Sequence, residues 1–260
     1  MTSQRSLTVR TPATDVPLTL DERGQGRPVV LLHGGAGPAS VGGFADLLAE
    51  TTGTRVITPT HPGFGGTPRP ERLTTIAGLA QVYAGLLDAL DLEDAVVIGN
   101  SIGGWAAAEL ALLHPARLAR LVLVDAVGVE VAGHPGVDFD ALTPAQIAQH
   151  SWFDPAEAPL LDPATLPPAA RAILQGNRAA LAAYGGTSSD PSLLARLTAV
   201  DVPTLVVWGE ADRIVDPGYG RALAAAIPGS GFTLLPRTGH VPQMETPEQL
   251  VEALRPFLLA

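Results

Sequence analysis

Short apolar runs alternate with longer stretches of helical periodicity along most of this 260-residue chain. The runs are rich in Val, Ile and Leu and end at glycine, proline or polar residues, as is typical of strands buried on both faces of a parallel sheet. We predict such strands at residues 29–32, 55–58, 95–98, 121–124, 203–208 and 232–235. Between them we predict helices at residues 41–51, 74–90, 102–114, 218–226 and 247–258. A hairpin at 7–10 and 16–20 would add an antiparallel edge, so the pattern indicates an α/β fold with helices on both faces of a mostly parallel sheet.

The alternation stops between residues 129 and 199, where prolines recur and no run of strand type occurs. Helical periodicity returns there at residues 144–150 and 169–184. Because a structureless loop of this length is improbable in a compact domain, we predict a helical cap inserted into the core. Residues 129–199 would form the cap, and residues 1–128 and 200–260 would form the core. The alternative is a pair of ordinary surface helices in a long excursion.

The strongest chemical signal is the sequence Gly-Asn-Ser-Ile-Gly at residues 99–103, directly after a predicted strand and before an alanine-rich helix. A serine on so tight a strand-to-helix turn projects above the sheet, and the flanking glycines remove side chains that would otherwise collide. We therefore predict that Ser101 is a nucleophile. The alternative is a glycine-rich turn in which Ser101 caps the helix.

A nucleophilic serine needs a base, and the base needs a carboxylate that orients it. His240 follows the last predicted strand, which makes it the best candidate for the base among the six histidines. Asp212 follows the strand at 203–208 and is the favoured acid, whereas Asp125, at the end of the strand at 121–124, is its rival. The order Ser101, Asp212, His240 along the chain is that of the nucleophile-elbow fold. His61, in a glycine-rich loop, is expected to have a structural role.

A tetrahedral intermediate also needs hydrogen-bond donors for its oxyanion. The loop His-Gly-Gly-Ala-Gly at residues 33–37 follows a predicted strand, and its glycines let backbone N–H groups approach a developing charge closely. We predict the backbone N–H groups of Gly35 and Ile102 as the two donors. A dinucleotide-binding loop is disfavoured, because the third glycine and the acidic residue after the next strand are missing.

Composition excludes several other chemistries. All 16 basic residues are arginines and no cysteine is present, which rules out lysine Schiff bases, P-loop lysines, thiolate nucleophiles and cysteine metal sites. A net charge of -10 argues against nucleic acid or an anionic membrane as partner. No close histidine spacing suggests a metal, so we expect neither metal nor cofactor. Without an apolar segment near Met1 or a long apolar run, we expect a cytoplasmic protein.

Taken together, these motifs resemble the α/β-hydrolase superfamily over nearly the whole chain. The matching pieces are His-Gly-Gly at 33–35, Pro-Gly-Phe-Gly at 62–65, the elbow at 99–103, Trp-Gly-x-x-Asp at 208–212 and Gly-His at 239–240. The resemblance implies the same catalytic triad of Ser101, His240 and Asp212. The elbow also resembles that of meta-cleavage product hydrolases, which split carbon–carbon bonds of vinylogous diketones.

We therefore expect a serine hydrolase that forms an acyl-enzyme and cleaves an ester, or a carbon–carbon bond next to a carbonyl, in a small apolar substrate. Two other classes stay open: a non-hydrolytic enzyme on this fold, such as a perhydrolase, lyase or cofactor-free dioxygenase, and a receptor-like ligand-binding protein. The substrate pocket is expected to be lined by residues of the insertion and of the core, namely Trp152, Phe153, Tyr184, Trp105 and Val241.

Overall fold

The computed structural model describes residues 2–159, 165–185 and 189–260. The strands are β1 (Ser3–Arg10), β2 (Asp15–Arg23), β3 (Pro28–Leu32), β4 (Arg55–Pro59), β5 (Ala95–Asn100), β6 (Leu118–Val124), β7 (Thr204–Gly209) and β8 (Gly231–Leu235). The α-helices are α1 (Ala39–Thr52), α2 (Ile76–Ala89), α3 (Ile102–Ala111), α4 (Pro144–Ser151), α5 (Pro168–Gly185), α6 (Leu193–Arg196), α7 (Pro217–Ala226), α8 (Pro242–Glu245) and α9 (Pro247–Leu259).

All eight strands of the described chain join one sheet in the order β1-β2-β4-β3-β5-β6-β7-β8. The β1–β2 and β2–β4 pairs are antiparallel, and every other neighbouring pair is parallel. The chain order reverses around β3, since β4 lies on one side of it and β5 on the other. In open parallel sheets, the crevice at such a reversal, outside the carboxyl ends of the strands, is where ligands bind.

Helices cover both faces of the sheet, which explains why the central strands β5 and β7 are buried along their whole length. One face packs against α2, α3 and α7, through side chains such as Leu79, Leu110 and Leu223. The other packs against α1 and α9, through side chains such as Phe44 and Leu254. Burial of β5 and β7 from both sides leaves no solvated face, so neither strand alternates between apolar and polar residues.

The chain between β6 and β7 contains no named strand in its described part. It consists of α4, α5, α6 and single turns of 3-10 helix at Phe139–Ala141, Pro155–Glu157 and Leu197–Ala199. Helix α4 begins with a capping box, in which Thr143 and Gln146 exchange hydrogen bonds across the first turn. The last turns before β7 pack into the main core through Leu193 and Leu197. Residues 160–164 and 186–188 of the predicted cap lie outside the described residues.

The α/β architecture predicted from the hydrophobic pattern is confirmed, and each predicted strand corresponds to one in the sheet. Four predicted boundaries differ from the observed ones by three or more residues, two of them because β1 begins at Ser3 and β2 extends to Arg23. Strand β6 begins at Leu118, three residues before its predicted start. Arg117 and Arg120 interrupt the apolar run there, although the segment from Leu118 pairs with β5. Helix α3 ends at Ala111, and His114 lies beyond it with a positive φ of 49°. None of the helices in the described ranges combines the length and apolar character that a membrane span requires.

The start of α3 supplies a test of how tightly this sheet and its helices are packed. A Cβ atom on Gly103 would lie 2.5 Å from the carbonyl oxygens of both Leu32 and His33, and backbone cannot move aside cheaply. Gly103→Ala should therefore lower the free energy of unfolding by about 3 kcal/mol. Gly43→Ala is the matched control, because that helical glycine has no atom within 4 Å of an added Cβ. It should raise stability by about 0.5–1 kcal/mol. Equal effects of the two substitutions in urea unfolding would contradict this packing.

Candidate active site

The predicted site residues converge because they follow the carboxyl ends of adjacent parallel strands. Gly35 follows β3, Ser101 follows β5, Asp125 follows β6, and Asp212 and His240 follow β7 and β8. Carboxyl ends of parallel strands share one edge of a sheet, so residues far apart in sequence meet there. The crevice at the chain reversal around β3 opens at this edge of the sheet.

Ser101 occupies a strained turn between β5 and α3. Its backbone has φ 55° and ψ -120°, a region that L residues rarely adopt. The turn is possible because Gly99 has no side chain: a Cβ there would lie 2.2 Å from the carbonyl oxygen of Gly103. The Ser101 N–H donates to the Val124 carbonyl at 3.0 Å, which fastens the turn to β6. Ser101 remains partly accessible at the edge of the sheet.

A chain of two hydrogen bonds joins Ser101, His240 and Asp212. Ser101 Oγ lies 2.9 Å from His240 Nε2, and His240 Nδ1 lies 2.7 Å from Asp212 Oδ2. An acceptor at Nδ1 places the imidazole proton there, so Nε2 is free to accept the serine proton. His240 is 5% exposed and Asp212 is 3% exposed, so both groups of this acid–base pair are shielded from water.

Backbone groups hold Asp212 in its orientation. Its Oδ1 accepts hydrogen bonds from the N–H groups of Ile214 at 2.8 Å and Val215 at 3.2 Å. The rival acid, Asp125, is fully buried, but its Oδ1 accepts from the Gly209 N–H at 2.8 Å instead of from the histidine. Of the two carboxyl groups that the sequence left open, Asp212 therefore makes the hydrogen bond to His240.

The segments that carry the two predicted oxyanion donors, the loop after β3 and the first turn of α3, both adjoin Ser101. Ile102 is the first residue of α3, so its N–H belongs to the unpaired first turn of that helix. The glycine-rich loop approaches from β3: a Cβ on Gly34 would lie 3.1 Å from the Ser101 Cβ. Gly35 is the next residue in this loop. The arrangement places a loop without side chains against Ser101, as a site for a developing negative charge requires.

A buried hydrogen-bond network orients this loop. His33 Nε2 accepts from the His61 N–H at 3.0 Å, so His33 Nδ1 carries the proton that it donates to the Gly34 carbonyl at 2.8 Å. The Gly35 N–H lies on the opposite side of the same planar peptide and is therefore directed away from His33. His61 Nε2 donates to the His33 carbonyl at 2.7 Å, and its Nδ1 hydrogen-bonds the Tyr83 hydroxyl. His61 thus contacts the loop through hydrogen bonds of the kind that a structural role requires.

Both histidines of this network are neutral. Burial lowers the pKa of His33 to about 4, and burial together with the neighbouring His33 lowers the pKa of His61 well below its ordinary value. Each ring must present one donor and one acceptor to its neighbours, which only neutral imidazole does.

The five predicted pocket residues differ in their surroundings. Trp152 and Phe153 follow α4 and are half-buried, and the Phe153 ring packs under the Arg237 guanidinium at 4.7 Å. Val241 follows the histidine and is buried. The Tyr184 hydroxyl donates to the Pro62 carbonyl at 2.9 Å. Trp105 is buried on α3, where a Cβ on Gly128 would meet its indole ring at 2.3 Å, so this side chain packs closely against the chain after β6.

Sequence reasoning missed two residues of α5 that contact the oxyanion loop. Asn177 accepts from the Gly65 N–H at 2.8 Å, and its amide lies 2.6 Å from the position of a Cβ on Gly37. Leu181 lies over Gly35, with a methyl group 3.2 Å from the Cβ position. Asn177, Leu181 and Tyr184 have the i, i+4, i+7 spacing of one helix face, which was the available signal.

Two charged residues, also missed, attach the segment around the end of α4 to the triad loops. The Arg213 guanidinium donates to the carbonyls of Gln149 at 3.1 Å and Trp152 at 3.0 Å. Glu245 Oε1 accepts from the Phe153 N–H at 2.8 Å, and its Oε2 accepts from the Gly239 N–H at 2.6 Å. Because Arg213 adjoins Asp212 and Gly239 adjoins His240, the segment 148–154 is bound to the loops that carry these two residues. No local pattern marked either residue.

The described residues contain one grouping of histidine and carboxylate atoms close enough to bind a metal ion, and it is part of this site. Atoms of Asp125, Asp212 and His240 lie within 4.8 Å of one another. His240 Nδ1 is already hydrogen-bonded to Asp212 and its Nε2 to Ser101, which is the geometry of proton transfer.

The fold and this geometry agree with a family comparison. The sequence profile of the alpha/beta hydrolase family matches residues 29–253, and the chain therefore belongs to that family. The chain is a hydrolase of the α/β-hydrolase fold, and the sequence-based prediction of that class is confirmed.

Within this family, the chain is similar to several individual hydrolases. The chain is 30% identical over 252 residues to a 2-hydroxymuconate semialdehyde hydrolase of Pseudomonas putida, with 92% of this chain and 89% of the relative covered. It is 28% identical over 261 residues to a 2-hydroxy-6-oxo-6-phenylhexa-2,4-dienoate hydrolase of Burkholderia cepacia, covering 87% and 85%. Among solved structures, a thermophilic esterase from Thermogutta terrifontis superposes with a TM-score of 0.73 at 28% identity and 98% coverage of both chains.

The neutral histidines behind the oxyanion loop predict loss of stability in acid. The unfolded chain takes up a proton at each histidine near pH 6.5, whereas folded His33 does so only near pH 4 and His61 also at a lower pH than when unfolded. The stability they contribute is therefore full above pH 6.5 and is lost as the pH falls below it. The loss should be up to about 1.4 kcal/mol per pH unit for each histidine.

Urea unfolding between pH 7 and pH 4 measures the slope of the free energy of unfolding against pH. His61→Gln should reduce it by the equivalent of one proton, even if the variant is less stable at every pH. His114→Gln is the matched control, since His114 pairs with Asp201 at the surface, outside the buried network. A His61→Gln slope equal to that of the wild type would show that the buried network is not the source.

Proposed function

We propose that this hydrolase acts through Ser101, His240 and Asp212, and that its reaction is cleavage of a carbon–carbon bond next to a carbonyl. The observation that carries the proposal is the hydrogen-bonded chain from Ser101 Oγ through His240 to Asp212. The choice of bond is supported by the two relatives, whose names describe hydrolases of 2-hydroxymuconate semialdehyde and of a 2-hydroxy-6-oxo-dienoate. Asp212 keeps the imidazole in the tautomer that accepts the serine proton.

The proposed reaction has two stages. Ser101 Oγ attacks the carbonyl carbon while its proton moves to His240 Nε2, and the carbonyl oxygen becomes an oxyanion that accepts from the N–H groups of Gly35 and Ile102. When the tetrahedral intermediate collapses, the bond to the leaving group breaks and His240 returns its proton to that group. Water, deprotonated by His240, then hydrolyses the acyl-enzyme and restores Ser101. Each oxyanion donor in comparable sites contributes about 3 kcal/mol to the transition state.

We further propose that residues 129–199 form a cap over this site, with the core in residues 1–128 and 200–260. The contacts of Leu181 with Gly35 and of Asn177 with Gly65 support this placement, since α5 lies against the oxyanion loop. The pocket would be bounded by Trp152 and Phe153 on the cap side and Val241 on the core side. The substrate is a small molecule, and we propose that the protein acts in the cytoplasm.

Ester hydrolysis is the second candidate, favoured by the likeness to the Thermogutta terrifontis esterase at 28% identity over 98% of both chains. The same triad serves both reactions, because each begins with attack on a carbonyl. They differ in the leaving group, which is an alcohol in one and a stabilised carbanion in the other.

Fluorophosphonate labelling tests the nucleophile. The wild type should be labelled, and Ser101→Ala should lose labelling and fall at least about 10³-fold in turnover, since the residue forms the covalent intermediate. Ser6→Ala, at an exposed serine on β1, is the matched control and should react like the wild type. A folded wild type that takes no label would instead support a receptor-like protein.

A substrate comparison tests the bond that is cleaved. Purified enzyme is offered a vinylogous diketone of the meta-cleavage type, short-chain p-nitrophenyl esters, and acetate with hydrogen peroxide, and kcat/KM is measured for each. We expect the highest value for the diketone, with Ser101→Ala inactive on all. A higher kcat/KM for the esters would transfer the proposal to ester hydrolysis, and peracid formation alone would indicate a perhydrolase.

A further inference from the structure

Asp125 is a buried carboxyl group beside the catalytic pair, and the mechanism above gives it no role. It follows β6 directly, has no solvent-exposed surface, and lies within 4.8 Å of both Asp212 and His240, measured between their nearest ligand-type atoms. Its backbone has a positive φ of 45°, a conformation that residues other than glycine adopt uncommonly.

Hydrogen bonding around Asp125 is incomplete if the group is ionised. Oδ1 accepts from the Gly209 N–H, but Oδ2 is buried and accepts no hydrogen bond from any donor among the described residues. The facing Asp212 offers only acceptors, since both of its oxygens already receive N–H groups. Two carboxylates cannot hydrogen-bond each other, whereas a carboxylic acid can donate to a carboxylate. A proton on Asp125 Oδ2 would satisfy the atom that lacks a partner.

The surrounding charges act in the same direction. Asp212 and His240 face Asp125 from the loops after β7 and β8, and Glu245 adds a third carboxylate from α8. Asn100, which donates to the Val124 carbonyl just before Asp125, is uncharged. Burial, followed by the charge of Asp212, a side-chain hydrogen bond with Asp212 and the charge of Glu245, raises the pKa of Asp125 well above its ordinary value, against the lowering effect of the Gly209 N–H.

We propose that Asp125 is held as the neutral carboxylic acid and donates a hydrogen bond from Oδ2 to the Asp212 carboxylate. The cluster of two carboxyl groups and one imidazole then carries one negative charge when His240 is neutral. Asp125 is on this view a positioning residue, which acts on the catalytic base through Asp212. The inference rests on the proposed function for its catalytic meaning, although the protonation state itself does not.

The proton on Asp125 matters for the basicity of His240. A second buried carboxylate within a few ångströms would stabilise the imidazolium form of His240 relative to the neutral imidazole. The neutral imidazole is the form that can accept the proton of Ser101. Neutral Asp125 removes this obstacle and completes the hydrogen bonds that fix Asp212.

Infrared difference spectroscopy tests the protonation state without any catalytic assay. At neutral pH the wild type should show the carbonyl stretch of a protonated carboxylic acid, and Asp125→Asn should lack it. Asp94→Asn is the matched control, at an exposed aspartate that also has a positive φ, and should retain the band. A wild type without the band, or an Asp125→Asn variant that keeps it, would overturn the proposal.

The pH dependence of fluorophosphonate labelling tests the effect on His240. Because asparagine is a neutral isostere of the carboxylic acid, Asp125→Asn should keep the wild-type pKa on the acid limb of the labelling rate. If Asp125 is ionised in the wild type, its removal would instead move the acid limb of the labelling rate to lower pH. Such a shift would contradict the proposal, as would a larger loss of labelling in Asp125→Asn than in Asp212→Asn.

These experiments separate the proposal from the proposed function. A wild type that carries the infrared band but takes no label would retain the protonated Asp125 and refute the hydrolase mechanism. A wild type that takes the label but lacks the infrared band would support the nucleophilic Ser101 and refute the protonated Asp125. If Asp125→Asn does not fold, as judged by its thermal unfolding, Asp125→Ser replaces it, because a hydroxyl can still accept from the Gly209 N–H.

Discussion

The close approach of three backbones at the start of α3 is the constraint on which the rest of the site depends. β3, β5 and the first turn of α3 meet without intervening side chains, because Gly99 and Gly103 leave room only for backbone atoms. This contact forces Ser101 into a positive φ and brings the loop after β3 against the nucleophile. Strain at one residue is stabilised by packing of the whole sheet, since β3 and β5 are buried on both faces. The geometry for chemistry is therefore a consequence of core packing and needs no flexible arrangement of loops.

Behind this contact, uncharged polar groups orient the loop after β3 and the Asp212 carboxylate. His33 and His61 are neutral and hydrogen-bonded in a fixed tautomer, so the peptide of Gly34 and Gly35 keeps its orientation without a nearby positive charge. On the other side, Asp212 receives backbone N–H groups instead of an arginine. Oriented dipoles of this kind need no reorganisation when charge develops, which is how enzymes stabilise transition states in buried sites.

The sequence allowed prediction of those features that depend on local order. The parallel strands were recognisable from continuous apolar runs. Ser101, Asp212 and His240 could be chosen because each follows the carboxyl end of such a run. The choice between Asp125 and Asp212 required the structure, since both follow strands that end at the same edge, and only distances show which one bonds His240. Contacts of Asn177 and Leu181 were hidden because they join elements more than a hundred residues apart. The helical spacing of Asn177, Leu181 and Tyr184 marks one face of α5, but it does not show which part of the core that face contacts.

The attachment of the segment 148–154 has a consequence for the design of chimeric enzymes. Arg213 and Glu245 bind this segment to the loops that carry Asp212 and His240. The segment is therefore held by hydrogen bonds to the core, although it lies within the predicted cap. Recombination with a related enzyme should therefore place its crossover after residue 154, leaving these bonds within one parent. A crossover before α4 would combine Arg213 and Glu245 of one parent with the 148–154 backbone of the other. The loops that carry Asp212 and His240 would then be disturbed together. The boundary that matters for engineering new specificity is thus set by hydrogen bonds, not by where the helical insertion begins.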